Sequence, residues 1–319
     1  MNTEHQKGVD LRGYCTWRIG GTASEIMFPR TPKDFADTIA SLSAQDRAFH
    51  VLGRGSNVLF SSAGVAEPII YTARIARCSL LSSLPTAIEL FKNAIPENDK
   101  SRVVYAEAGA AIPKLVSLAE AQGLSGVEYL AGIPGSVGGA VAMNAQGFLD
   151  KLQDDTWLVE VSPIDGAFSV VLASEHTIGY RQYGLMGNFV IAALLRLKPD
   201  DPEAIRARVQ ETVERKQQTQ PLDRPSAGCV FRNPKGEHAG AMLDGAGMKG
   251  KKCGGAVYST KHANFIINAG GATSDDVIEL MTQGKRAVKE VFRRYLIPEI
   301  KFIGHFSGEK LAYLNLDTE

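Results

Sequence analysis

Between Ala131 and Gly147 the chain reads AGIPGSVGGAVAMNAQG, a run with five glycines, one proline and no charged side chain. Such a segment suits neither a regular helix nor a regular strand, and it leaves peptide N–H groups uncovered by side chains. Gly132, Gly135, Gly138 and Gly139 could approach a ligand closely, and a diphosphate suits that surface. Taken alone, a glycine-rich turn packed beneath a neighbouring element explains the run equally well.

A second stretch shifts the balance. Gly53-Arg54-Gly55-Ser56-Asn57 stands between the apolar runs Phe49–Leu52 and Val58–Phe60, which reads as strand, polar turn, strand. A dinucleotide fingerprint would need a third glycine at position 58 and a helix to follow; Val58 and another strand stand there instead. Neither stretch ends in the G-K-[ST] of a nucleoside-triphosphate loop. The two together suggest a phosphate cradle outside the common nucleotide folds.

At 319 residues the chain is long enough for two or three compact units. Lys plus Arg and Asp plus Glu balance at 35 each, so no general field draws nucleic acid or an anionic membrane, and anionic ligands must be met by local groups. No apolar run is long enough to span a bilayer and the N-terminus lacks a secretory core, so a cytoplasmic protein is expected. Cys15, Cys78, Cys229 and Cys253 lack CxxC spacing, which argues against zinc and against a disulfide framework.

Local signals place the elements. Thr31-Pro32-Lys33-Asp34 starts a helix with an N-cap hydroxyl, a proline in the first turn and an early acid, and Phe35, Ile39 and Leu42 share its inner face. A β-α-β unit therefore ends at the Gly53 turn. Strands are expected at Pro68–Tyr71 and Val103–Tyr105, with a helix from Ile112 to Gln122 stopped by Gly123. Asp165-Gly166 marks a hairpin between Trp157–Val161 and Phe168–Leu172. Asn188–Leu197 reads as a buried strand and Pro199–Pro202 as a boundary. A charged helix follows over Glu203–Gln218, then a long helix over Asp275–Tyr295 with Val277, Leu280, Met281, Val288, Val291 and Phe292 as core, then a last strand over Glu299–Gly304. Pro85–Asp99 reads as irregular. The expected division is 1–66, 67–200 and 201–304, with 305–319 as a surface tail.

Five segments, GRGSNVLF, AGIPGSVGGAVAMNAQG, GYRQY, PSAGCVFRNP and KHANFIIN, occur in that order. Together they resemble the signature segments of the UDP-N-acetylenolpyruvoylglucosamine reductases, over a stretch from about Tyr14 to Gly304. The resemblance implies an α+β fold with a two-part FAD-binding region of the vanillyl-alcohol-oxidase/PCMH-like type and a C-terminal α+β substrate-binding domain. It implies noncovalent FAD, NADPH as electron donor, and reduction of UDP-N-acetylglucosamine enolpyruvate to UDP-N-acetylmuramate for peptidoglycan synthesis. The short interval after the arginine motif resembles the shorter type, which lacks a tyrosine-bearing loop. A monomer or weak oligomer is expected.

The resemblance also assigns residues. Arg18, Gly53, Arg54, Gly55, Ser56, Asn57, Gly132, Ile133, Gly135, Ser136, Gly138, Gly139, Met143 and Asn144 are implied in FAD binding, and Tyr180, Lys216 and Asn233 in substrate binding. Arg181 matches the arginine that grips the substrate carboxylate and the developing enolate, a task suited to a planar guanidinium. Cys229 stands where serine commonly protonates the carbanion; with an ordinary pKa of about 8.5, a thiol gives up its proton more readily than an alcohol. Glu299 matches the family's catalytic glutamate. Cys15 replaces the usual asparagine and Tyr183 the usual serine. His262 and Asn264 are read as shaping a strand entry, and no metal site is expected.

Two other readings fit parts of this pattern. A sugar-alcohol or lactone oxidase of the same fold would share the glycine loops but not Arg181, PSAGCVFRNP and Glu299. A non-catalytic flavin or nucleotide-sugar binder would account for the unusual residues at motif positions, but not for keeping Arg181 together with Glu299.

Overall fold

The computed structural model of the chain describes residues 3–83, 102–176, 178–179, 182–183, 187–306 and 308–315. Two compact units are built from interleaved pieces: Met1–His5, Met27–Arg54 and Ile69–Arg215 form one, and Gln6–Ile26, Gly55–Pro68 and Lys216–Glu319 the other. The irregular stretch expected at Pro85–Asp99 lies outside the described residues.

The first unit is organised by an antiparallel five-stranded sheet in the order Phe168–Leu172, Thr156–Val161, Phe189–Arg196, Val103–Glu107, Cys78–Leu80. Alternation along its strands feeds two cores. Leu158, Ala193 and Leu195 face one, with Leu115, Val137 and Val141; Val159, Val161 and Leu194 face the other, with Phe35 and Ile39. The expected hairpin forms, with Phe168 opposite Val161; at its turn the Asp165 carboxylate accepts from the Ala167 N–H at 3.0 Å.

The helix Pro32–Ala44 begins as its sequence dictates. Thr31 Oγ1 accepts from the Asp34 N–H at 3.1 Å while Asp34 Oδ2 accepts from the Thr31 N–H at 3.1 Å, satisfying two N–H groups that a helix start would leave open. The strand after it, His50–Leu52, runs parallel to Ile69–Tyr71. The helix Ile112–Ala121 and the central strand Phe189–Arg196 also lie where the sequence puts them.

In the second unit Val58–Phe60 lies parallel to Lys301–Ile303, and Lys252–Cys253, Ala256–Tyr258 and Ile266–Asn268 form a three-stranded antiparallel sheet. Across the latter packs the helix Ser274–Phe292, opened by a capping box between Thr273 and Asp276. Two expectations fail here. Val291 and Phe292 belong to the apolar stripe but are 58% and 39% exposed; they stand in the last turn, where Phe292 merely covers the backbone of Gly245. The expected surface tail is instead helical over Glu309–Asn315, because Leu311 and Leu314 lie one turn apart; Leu314 is buried and its carbonyl accepts from buried Lys285 Nζ at 2.9 Å. Among the described residues, no helix is long and apolar enough to cross a membrane.

Candidate active site

The polar turn begins in the first unit. A Cβ at Gly53 would lie 2.4 Å from Ser136 Oγ, so a larger residue would have to displace the hydroxyl that caps the glycine-rich helix. Ser136 is buried and caps the short helix Val137–Ala142, accepting from the Gly139 N–H at 3.4 Å. Gly138 donates its N–H to the Ala108 carbonyl at 2.9 Å, and a Cβ there would meet the Ala108 Cβ at 2.7 Å. The glycine at 138 is therefore a packing requirement, and its N–H is already spent. Arg54 Nε donates to the Gly109 carbonyl at 3.2 Å.

The loop Ala108–Ala111, which receives both Gly138 and Arg54, escapes the sequence reading. Its signal is the run of small residues A-G-A-A between a strand and a helix. Ile133 is partly buried against the core, Met143 is half-buried, and Asn144 is buried in the left-handed region at φ 38°. Gly132 and Gly139 are exposed and Gly135 is partly so.

From Gly55 the turn belongs to the second unit. Gly55 sits at φ +65° with the Tyr14 carbonyl and the Cys15 Cα where a Cβ would be, and its own carbonyl accepts from the Thr16 N–H at 3.0 Å. The N–H groups of Gly55 and Ser56 make no hydrogen bond among the described residues. Successive unspent N–H groups around a left-handed residue form an anion-binding concavity. A flavin diphosphate fits that chemistry.

The segment Thr16–Gly21 is held by burial of Trp17, whose Nε1 donates to the Ile266 carbonyl at 2.8 Å. Arg18 is exposed at φ 56°. Cys15 is buried and donates Sγ–H to the Ile19 carbonyl at 3.2 Å; burial pushes its thiol pKa up, so it stays neutral.

Cys229, Asn57 and Glu299 come together through backbone pairing. Residues 229–231 lie between two partners: Cys229 bridges Phe265, and Phe231 bridges Pro298. The Val230 carbonyl accepts from the Glu299 N–H at 2.9 Å, and Asn57 Nδ2 donates to the Glu299 carbonyl at 3.2 Å. Buried Asn264 brackets Phe231, accepting its N–H at 3.0 Å and donating to its carbonyl at 2.8 Å. The Asn264 amide is thus spent on the backbone of Phe231.

Cys229 and Asn233 line one cavity of about 280 Å³ with His238, Asp244, Lys249, Lys261 and His262. Asn233 Oδ1 caps the helix Ala239–Gly245 by accepting from the Ala239 N–H at 3.0 Å. His262 Nδ1 accepts from the Asn264 N–H at 3.2 Å; burial first, and then the Lys249 ammonium, lower the imidazole pKa. Lys261 Nζ donates to the Gln217 carbonyl, next to Lys216, which ends the helix Pro202–Thr219 and is only 7% exposed. Burial at that level goes beyond the solvated lysine usual near a helix end. Tyr180 and Arg181 lie outside the described residues. Among the described residues no cluster of metal-ligating side chains occurs.

Comparison with known proteins decides the family. Residues 220–303 match a family profile described as UDP-N-acetylenolpyruvoylglucosamine reductase, C-terminal domain. The UDP-N-acetylenolpyruvoylglucosamine reductase of Thiobacillus denitrificans is 37% identical over 302 residues, covering 91% of this chain and 89% of its own. The chain belongs to the UDP-N-acetylenolpyruvoylglucosamine reductase family. A second family member, from Moorella thermoacetica, is 37% identical over 279 residues, covering 87% of this chain and 86% of its own. The crystal structure of the Thermus caldophilus reductase superposes with a TM-score of 0.74 at 33% identity, covering 95% of this chain and 99% of that one. Residues 23–162 match an FAD binding domain. The α+β fold expected for a reductase of this family, an FAD-binding region followed by a family-specific C-terminal domain, is therefore the one observed.

Proposed function

We propose that the protein reduces UDP-N-acetylglucosamine enolpyruvate to UDP-N-acetylmuramate in peptidoglycan precursor synthesis, using FAD and NADPH. Family membership across nine-tenths of the chain is the observation that carries this reading. Residues 1–66 and 67–200 serve the cofactor, residues 201–304 the substrate, and the protein works in the cytoplasm as a monomer or weak oligomer.

The N–H groups of Gly55 and Ser56 and the exposed backbone of Gly132, Gly135 and Gly139 would hold FAD, with Arg18, Gly53, Arg54, Asn57, Ile133, Ser136, Met143 and Asn144 shaping its surroundings. When bound, FAD supplies the redox couple that takes two electrons from NADPH and gives them to the enolpyruvyl alkene. The side chains must then supply the proton and steady the charge. Cys229 delivers its Sγ proton to one alkene carbon as the other gains hydrogen, and the thiolate left behind is reprotonated from solvent. Arg181 holds the carboxylate conjugated to the reacting carbons, and Glu299 shares charge with it. Asn233 and Lys216 anchor the sugar nucleotide from the same unit, a lysine being suited to its diphosphate.

The purified protein should show a flavin absorption spectrum that NADPH bleaches without oxygen and that the enolpyruvyl sugar nucleotide restores. Bleached flavin that this substrate fails to restore would reject the substrate, and absence of flavin after reconstitution would reject the enzyme.

A further inference from the structure

Within the second unit the chain turns tightly over Cys15–Arg18, where the Arg18 N–H donates to the Cys15 carbonyl at 3.2 Å. Arg18 ends that turn in the left-handed region at φ 56°, a conformation that glycine adopts at far lower cost. Glycine would close the same turn more cheaply, so the arginine side chain has to account for the residue. Arg18 is exposed, and its guanidinium makes no hydrogen bond or ion pair among the described residues.

The costly conformation is held from the strand Ile266–Asn268. Buried Trp17 reaches the Ile266 carbonyl with its indole, and two residues further on the Asn268 Nδ2 donates to the Trp17 carbonyl at 3.1 Å and to the Arg18 carbonyl at 3.5 Å. Asn268 Oδ1 accepts from the N–H groups of Gly270 at 3.0 Å and Ala272 at 3.2 Å. With two donors facing the oxygen and carbonyls facing the nitrogen, only one orientation of the amide satisfies every partner.

The same turn adjoins the anion-binding concavity of its unit. Thr16 donates its N–H to the Gly55 carbonyl at 3.0 Å, and the Tyr14 carbonyl and Cys15 Cα fill the space that a Cβ on Gly55 would take. An uncommitted cation therefore stands on chain packed against the uncommitted N–H groups of Gly55 and Ser56.

We propose that Asn268 is a positioning residue for FAD: by holding the Trp17 and Arg18 carbonyls it keeps Arg18 in its left-handed conformation, from which the guanidinium meets the flavin diphosphate beside the N–H groups of Gly55 and Ser56. This builds on the place of Arg18 in the FAD surroundings given above. A guanidinium suits two phosphate oxygens at once, and hydrogen bonds between charged groups are the strong ones. Without the Asn268 amide, Arg18 is released to cheaper conformations, and FAD binding must then supply the energy that returns it.

The test is a fluorescence titration of FAD into the full-length chain stripped of flavin. Arg18→Ala should weaken FAD roughly 10-fold to 100-fold and make the affinity less sensitive to salt, while Arg18→Lys keeps more of it than alanine does. Asn268→Ser, whose hydroxyl still serves the Gly270 N–H but is too short for the Trp17 carbonyl, should weaken FAD by about 5-fold or more. In an Arg18→Ala background the serine should cost nothing further, because both residues act through one guanidinium. An asparagine that merely supports the fold would weaken FAD equally with and without Arg18. Such an equal loss overturns the positioning role, as does parent-like affinity in Asn268→Ser beside a weakened Arg18→Ala. Parent-like affinity in Arg18→Ala overturns the reading of the arginine, and the positioning role with it; unchanged salt sensitivity in Arg18→Ala overturns the diphosphate contact. If Asn268→Ser does not accumulate as folded protein, Asn268→Ala decides by the same criteria, and if neither folds, Asn268 is structural and the inference falls.

Discussion

The Asn57 side-chain amide donates to the Glu299 carbonyl, and the Asn57 carbonyl accepts from the Lys301 N–H at 3.0 Å. One residue of the polar turn thus holds the start of the last strand from two sides, tying the backbone proposed to face the cofactor to the carboxylate proposed to act on the substrate. Asn57→Asp replaces the donor by an acceptor facing a carbonyl. Losing that bond should cost about 1–3 kcal/mol, read as a lower unfolding midpoint, and reoxidation by substrate should slow more than bleaching by NADPH.

Cys229 lines the same cavity as Asn233 and two lysines. Cys229→Ser should retain substantial turnover, whereas Cys229→Ala should lose flavin reoxidation by substrate while NADPH still bleaches it. Rapid-mixing absorbance distinguishes the two steps, and normal steady-state turnover in the alanine variant would remove the thiol from the mechanism.

Gly53→Ala should release flavin on dialysis, because the added methyl meets Ser136 Oγ and overpacking of this kind costs about 1–3 kcal/mol. Ser136→Gly in the same chain should recover part of the loss. The ratio of flavin to protein absorbance reports both outcomes.

Glu299→Gln keeps the size of the side chain, and the Asn57 contact involves only its backbone. A fall in kcat with little change in KM is expected if the carboxylate works on the intermediate. An unchanged kcat would leave residue 299 with only its backbone contacts to Val230 and Asn57.

His262 has its pKa held below the ordinary 6.5 by burial and then by Lys249. The folded chain therefore refuses a proton that the unfolded chain accepts. Its contribution to stability is complete above pH 6.5 and declines as pH falls below that value toward the folded pKa. Denaturant midpoints measured between pH 8 and pH 5 should fall less steeply in His262→Gln than in the parent.

Much of the architecture was legible where local chemistry leaves one choice. Thr31, Pro32 and Asp34 can scarcely do anything but open a helix, Asp165-Gly166 closes a hairpin, and the unbroken apolar run Val190–Leu195 must lie inside a sheet. The glycine stretches were recognised, yet for Gly138 the cause is the Ala108 side chain rather than a ligand. No periodicity reveals that residues 6–26 and 55–68 share a unit with 216–319. Val291 and Phe292 kept the helical period but lie in its last turn.

Because Val58–Phe60 finds its partner in Lys301–Ile303, the polar turn cannot be completed by nearby chain. Closing a contact across some 240 residues carries a loop entropy that local elements do not meet, and such pairings form late and slowly. Until then an unpaired strand edge stands open to other chains. The protein should therefore be most prone to misassociate during refolding, at an intermediate in which the five-stranded sheet exists and this parallel pair does not. Dilution of the refolding chain, more than any change of solvent, should raise the yield of native protein.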